Sequence, residues 1–411
     1  MSPENAKDFS HSRRGFFKLR ARRQSTDAAK SGRAAAAERR YSTMGRKAVA
    51  GIIGAAALAL WFAGSVAAAD ELRPVRGPLD RYNIDLQQSS VSGLSAGGFM
   101  AGQFFVAYSD IVAGAGIFAG GPYGCARGDI IKALDDCMAC PSLLTFAVMN
   151  DLVQKARALA RAGRIDPPEN LQNRKVYLFS GLADKTVSPG VVDRAYDWYL
   201  KAGVPRAALH YKKSVPAGHA LPTVAYGNVC DDVDRPPWMS ACRYDGAGEM
   251  LRHIYGPLKP ARKATGKLIE FAQKDFADVA SATPGELAAR AGLHEFGYAY
   301  VPQSCAQGAV CRIHVVFHGC RQIVDADPEG KDLQKGGVPF GLQMVLHAGY
   351  NEWADANHFI VLYPQAQKSA ANPNGCFDWW GYLGGGPDAY LTKDAPQMKA
   401  VRAMMRAASG K

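Results

Sequence analysis

The hydrophobic positions of this chain fall into short apolar runs that alternate with amphipathic stretches. An alternating run, Tyr82-Asn83-Ile84-Asp85-Leu86, leads towards Val91 to Gly98, and a helix-compatible segment, Phe99 to Tyr108, follows. Ile111 to Phe118 reads as a short buried strand that stops at the turn Ala119-Gly120-Gly121-Pro122. Residues 129 to 163 read as a helical region, with Leu152, Ala156, Leu159 and Ala160 at helix spacing. Lys175 to Ser180 predicts the next strand, Val191 to Lys201 an amphipathic helix, and Ala207 to Lys212 a further strand. Val229 to Thr265 has little periodicity and reads as an irregular excursion that forms a substrate rim or covers a sheet edge. Beyond it, Gly297 to Pro302 and Cys311 to Phe317 read as strands, Phe340 to Asn357 as a helix, Phe359 to Pro364 as a buried strand and Gln397 to Ala408 as a last helix. Strands alternating with helices imply βαβ units, a mostly parallel sheet and the α/β class. In such sheets the loops beyond the strand carboxyl ends build the site.

Three of those loops carry complementary chemistry. Gly93-Leu94-Ser95-Ala96-Gly97 matches G-x-S-x-G between a strand and a helix, the setting of a nucleophile elbow, where bulk at the flanking glycines would strike the neighbouring strand and helix. Asp184 follows the strand ending at Ser180, and His219 follows the one ending at Lys212. A serine hydroxyl needs a base to remove its proton; histidine can do so near neutral pH, and an aspartate fixes its tautomer and stabilises the imidazolium. Ser95, Asp184 and His219 are therefore the candidate catalytic triad, in the chain order that α/β-hydrolases use. A second informative stretch is His318-Gly319-Cys320, straight after the strand ending at Phe317. In α/β-hydrolases an H-G loop supplies one backbone N–H of the oxyanion hole and the residue after the nucleophile supplies the other, here Cys320 and Ala96. That loop normally precedes the nucleophile. Its late position, followed by helix, strand and helix, predicts a circularly permuted α/β-hydrolase fold.

Composition narrows the setting. The net charge of +12 would hint at nucleic acid, but 13 Lys and Arg against 4 Asp and Glu lie in the first 47 residues, leaving a surplus of only three positive charges for the rest. No nucleic-acid partner is expected. Residues 1–43 read as a disordered basic extension, with Met44 an alternative start, and 44–69 as a secretory signal: Arg46-Lys47, an apolar stretch, then Ala67-Ala68-Ala69 before Asp70. Residues 70–81 read as a linker and 82–411 as one catalytic domain, secreted or periplasmic and without a stable membrane anchor after cleavage. All nine cysteines lie beyond the leader, as suits an oxidising compartment. Cys230 with Cys242 and Cys305 with Cys311 would close short loops, Cys320 with Cys376 would tie two distant segments, and Cys125 is expected to bridge into the Cys137-x-x-Cys140 pair. No cofactor and no metal are expected, since there is no H-E-x-x-H and no zinc-like cysteine spacing.

Gly93 to Gly98 with a downstream aspartate and histidine, the late His318-Gly319-Cys320, and Asn374-Gly375-Cys376-Phe377-Asp378-Trp379-Trp380 together resemble the polyhydroxybutyrate depolymerase family of secreted α/β-hydrolases, and within it the single-domain, circularly permuted members. The resemblance covers most of residues 82 to 408. It implies a serine esterase acting on poly[(R)-3-hydroxybutyrate] or its oligomers, with Ser95, Asp184 and His219 as triad, the main chain of Ala96 and Cys320 as oxyanion hole, and Trp379 or Trp380 shaping a substrate subsite. A feruloyl or acetyl-xylan esterase of the same fold, and a non-catalytic polymer-binding protein on a hydrolase fold, are the alternative readings.

Overall fold

The structure, a computed structural model, describes residues 72–232, 234–278, 287–325 and 340–410. The basic extension and the signal at 44–69 lie outside the described residues. Among those residues the strands are β1 (Pro74–Arg76), β2 (Ser89–Leu94), β3 (Val112–Phe118), β4 (Lys175–Phe179), β5 (Leu209–Lys212), β6 (Leu221–Thr223), β7 (Asn228–Val229), β8 (Met239–Ala241), β9 (Lys267–Ala272), β10 (Phe296–Val301), β11 (Arg312–Phe317) and β12 (Phe359–Tyr363). Nine of them form one sheet in the order β1-β9-β10-β12-β11-β2-β3-β4-β5, and β6, β8 and β7 form a small second sheet. Only β10 runs against its neighbours β9 and β12; the other pairings of the large sheet are parallel. A parallel sheet must be covered on both faces, and adjacent residues of β3 show how. Gly116 packs against Met250 of helix Gly246–Tyr255, whereas Ile117 reaches Gly102 of helix Ala96–Ala107.

The register lines up the strand ends that matter. Phe317 pairs with Gly93, Leu94 with Phe118, Phe118 with Phe179, and Phe179 with Lys212, so the loops after β11, β2, β4 and β5 leave the sheet along one edge. Although β11 follows β2 by more than two hundred residues, it is β2's direct neighbour. At the other end, Tyr82 N–H donates to the Ala408 carbonyl at 2.7 Å, so the beginning and end of the catalytic region meet.

Several expectations change. The strand feeding the elbow is Ser89–Leu94, not Tyr82–Leu86, which pairs through an isolated Ile84–Cys311 bridge with the residue just before β11. Its serines look polar but sit in the core because partners satisfy them: His314 bridges Ser90 (2.6 Å) and Ser92 (2.9 Å), Tyr255 donates to Ser90 (2.7 Å), and Ser92 pairs with Tyr350 (2.8 Å). Residues 70–81, read as a linker, contribute edge strand β1, paired in parallel with Leu268 to Glu270. The helical region at 129–163 is two helices, Ile130–Leu134 and Phe146–Arg161, separated by the segment holding Cys137 and Pro141. The single helix expected over Phe340 to Asn357 is a turn at Phe340–Leu342, helix Gln343–His347 and helix Tyr350–Asn357, broken at Gly349, whose φ of +89° ends the first and starts the second. The excursion after Val229 also holds a regular helix, Gly246–Tyr255, started by the Asp245 side chain accepting from Gly248 N–H.

Disulfides join Cys125 to Cys137, Cys230 to Cys242, Cys305 to Cys311 and Cys320 to Cys376, leaving Cys140 as the exposed free thiol among the described residues.

Candidate active site

The elbow is built by steric necessity. Ser95 connects β2 to helix Ala96–Ala107 with φ +58° and ψ −122°, a conformation that an L-residue rarely adopts. The turn is so tight that a Cβ at Gly93 would lie 2.3 Å from the Gly97 carbonyl oxygen, and one at Gly97 would lie 2.1 Å from that of Phe317. Ser95 is anchored from both sides, its N–H donating to Phe118 O (2.9 Å) and its carbonyl accepting from Phe99 N–H (3.0 Å).

Asp184 is buried in the loop after β4. Its Oδ1 accepts from the N–H groups of Thr186 and Val187, both at 2.9 Å, which leaves Oδ2 to accept from His219 Nδ1 at 2.9 Å. A ring nitrogen that donates to a carboxylate carries the proton, so Nε2 is the free base of that imidazole. His219 itself is buried, and it lines the same cavity as Ser95. The three sequence-predicted residues therefore converge: Asp184 on His219, and His219 with Ser95 on a common space of about 390 Å³.

The late His318-Gly319-Cys320 loop closes onto that space. A Cβ at Gly319 would lie 3.4 Å from Ser95 Cβ and 3.2 Å from Leu94 O, so the loop rides directly on the elbow. Cys320 lines the cavity, and neither its N–H nor that of Ala96 donates to an acceptor among the described residues. Two N–H groups beside a serine hydroxyl suit an oxygen that gains negative charge. The Cys320–Cys376 disulfide and the bond from Arg321 N–H to Asn374 O (2.7 Å) tie the loop to the segment that carries Trp379 and Trp380.

Both tryptophans line the cavity. Trp379 is the deeper, buried and stacked on Phe99 at 4.2 Å; the partly exposed Trp380 stands edge-on to it at 5.6 Å. Asp378, just before them, is almost wholly enclosed, and burial pushes its carboxyl up to about 6 although it accepts from the N–H groups of Gly381, Tyr382 and Leu383. Sequence reasoning did not single out the rest of the wall: Ile130, Leu134, Met138 and Trp238. Ile130 and Leu134 stand out only in the structure, where they stay 44% and 48% exposed at the cavity. The irregular excursion does form a rim, through Asp234 and Trp238, whose indole N–H donates to Asp234 at 2.6 Å.

No family model matches the chain. Two curated relatives match most of it. A poly(3-hydroxybutyrate) depolymerase of Delftia acidovorans is 43% identical over 362 residues, which are 86% of this chain and 65% of that protein. A polyhydroxybutyrate depolymerase of Talaromyces funiculosus is 37% identical over 335 residues, 75% of this chain and 87% of that one. The chain belongs to the polyhydroxybutyrate depolymerase family. Solved members agree in fold: the PHB depolymerase from Penicillium funiculosum superposes with a TM-score of 0.67 at 32% identity, covering 81% of this chain and 99% of that one. A PHB depolymerase carrying a serine-to-alanine substitution and complexed with an R3HB trimer has a TM-score of 0.68, with the same identity and coverage. The family's α/β-hydrolase architecture is the sheet described above, mostly parallel and flanked by helices.

Proposed function

We propose that this chain is a secreted or periplasmic serine esterase that hydrolyses poly[(R)-3-hydroxybutyrate] or its oligomers through an acyl-enzyme. The observation that carries the reading is the convergence of Ser95, the Asp184-oriented His219 and two N–H groups without an acceptor among the described residues on one apolar cavity, in a chain whose relatives are named depolymerases. His219 Nε2 takes the Ser95 proton as the oxygen attacks the ester carbonyl. The N–H groups of Ala96 and Cys320 hold the oxyanion, and His219 then protonates the departing alcohol. Water, activated by the same imidazole, releases the 3-hydroxyacyl group. An oxyanion donor contributes roughly 3–4 kcal/mol to such a step. Trp379, Trp380 and their aliphatic neighbours suit an uncharged aliphatic ester.

The strand order supports a circularly permuted fold. Counted from β9 as first strand and passing from the last helix into β2, the sheet reads 1-2-4-3-5-6-7-8, with the H-G loop preceding the elbow, and the Tyr82–Ala408 bond is where the two ends meet. The leader at 44–69 and the four disulfides among the described residues support export. No helix of the described residues is long and apolar enough to cross a membrane.

Incubation of the purified protein with 3-hydroxybutyrate oligomers tests the proposal, alongside feruloyl and acetyl esters. Release of 3-hydroxybutyrate, abolished in Ser95→Ala, is the expected result. Unchanged turnover in that variant, or preferential release of ferulate or acetate, would overturn it.

A further inference from the structure

The ring of His318 is 3% exposed, and both of its nitrogens are engaged. Ala366 N–H donates to Nε2 at 3.0 Å. A nitrogen that accepts carries no proton, so the ring's proton sits on Nδ1, which donates to the Gly319 carbonyl oxygen at 2.8 Å. Gln322 N–H reaches the same oxygen at 3.3 Å. In a planar trans peptide the carbonyl and the following N–H point in opposite directions, so turning Gly319 O towards the His318 ring turns Cys320 N–H away from it. Gln322 closes the loop from its other end. Its Oε1 accepts from Gly319 N–H at 2.7 Å and its Nε2 donates to Pro237 O at 2.8 Å, with the side chain 3% exposed. Gly319 N–H is thereby occupied, and Cys320 N–H is left to face the cavity.

We propose that His318 and Gln322 are positioning residues that fix the Gly319–Cys320 peptide plane, and through it the oxyanion donor, His318 acting as its neutral Nδ1–H tautomer. The inference rests on the reading of Cys320 N–H as that donor. His318 does not line the cavity; Gln322 does, with its amide held by Gly319 N–H and Pro237 O. His318 acts through the carbonyl that shares a peptide unit with the donor, Gln322 by removing the competing N–H and by fastening the loop to Pro237 on the far rim. Ala366, which sets the tautomer, lies in the residues just after β12, so the donor's direction depends on a strand two places from the elbow strand.

The test compares His318→Phe, Gln322→Met and Gln322→Glu with the unaltered protein. The readouts are kcat and KM on p-nitrophenyl butyrate and on 3-hydroxybutyrate trimer, inhibition by phenylboronic acid, which forms a tetrahedral anion on an active serine, and circular dichroism. Loss or misplacement of one donor predicts a fall of about 10²-fold in kcat with KM changed less than about threefold, and a parallel loss of boronate affinity. Gln322→Glu, which retains an acceptor for Gly319 N–H, recovers part of that loss. A kcat within threefold of the unaltered protein in folded variants, a change confined to KM, or boronate affinity that stays constant while kcat falls would each overturn the inference. Should His318→Phe fail to fold, the Gln322 pair decides it alone. A protein that turns over p-nitrophenyl butyrate but not the trimer defeats only the choice of polyester substrate; one that turns over neither ester defeats both readings.

Discussion

Ser95 holds its hydroxyl out of the turn at the expense of a backbone conformation that costs about 1–3 kcal/mol for a residue with a Cβ. Replacing it tests the strain directly. Ser95→Gly and Ser95→Ala are both expected to be inactive, but the glycine variant should unfold at higher urea than the alanine variant, by about 1 kcal/mol after its greater unfolded-state entropy is subtracted. Equal midpoints would mean that the turn is relaxed. Gly97→Ala is a harsher change: the added carbon meets the Phe317 carbonyl oxygen at 2.1 Å, a backbone atom in mid-sheet that cannot step aside. Little soluble folded protein is expected, measured as yield against Gly308→Ala, which strains the backbone at φ +94° but meets nothing within 4 Å. The tight turn itself is local, set by Ser95 and by Gly93 against Gly97, which is why G-x-S-x-G could be read from the sequence, and Asp184 and His219 with it, each just past an apolar strand. The tautomer of His318 was not legible, because the N–H that sets it belongs to Ala366, 48 positions away.

At the scale of elements, legibility followed how much each one depends on its own residues. Strands such as β11 and β12, buried and rich in Val, Ile and Phe, announced themselves. Strand β2 did not, since the polar Ser90 and Ser92 find their partners His314, Tyr255 and Tyr350 only in the folded sheet. The helix break at Gly349 was hidden by an apolar pattern that continues across it. Cysteine spacing did better, and the Cys320–Cys376 bridge joins the oxyanion loop to the tryptophan segment. Titration with reductant should therefore remove esterase activity before the circular dichroism signal. A Cys320→Ser, Cys376→Ser double variant should lose kcat and also up to about 4 kcal/mol of stability, the loop-entropy estimate for a bridge of this span. Coincident loss of activity and ellipticity on reduction would show the bridge to be a general staple only.

For the whole molecule, two buried histidines and two raised carboxyls pull the response to acid in opposite directions. Burial holds His314 down at about 3 and His318 at about 4, while both would titrate near 6.5 in the unfolded chain. Between about pH 6.5 and 4 the unfolded chain takes up two protons that the folded one refuses, so stability falls as pH falls, by about 1.4 kcal/mol per proton per unit. Asp378 and Asp110 work the other way: raised to about 6, chiefly by burial, each binds a proton in the folded state before the unfolded chain does, and together they offset the two histidines below that value. Removing one offset with Asp378→Asn should therefore make urea midpoints fall more steeply between pH 6 and 4 than in the unaltered protein; parallel profiles would contradict the raised carboxyl. The placement of β11 beside β2 has a further consequence, in time. During synthesis the central strand of this sheet is complete while its partner is still more than two hundred residues from being made. At about 5–20 residues per second that interval is on the order of ten to forty seconds, during which β2 has an unpaired edge. A nascent chain of this order needs a holding chaperone or prompt export more than a relative whose oxyanion strand is made first.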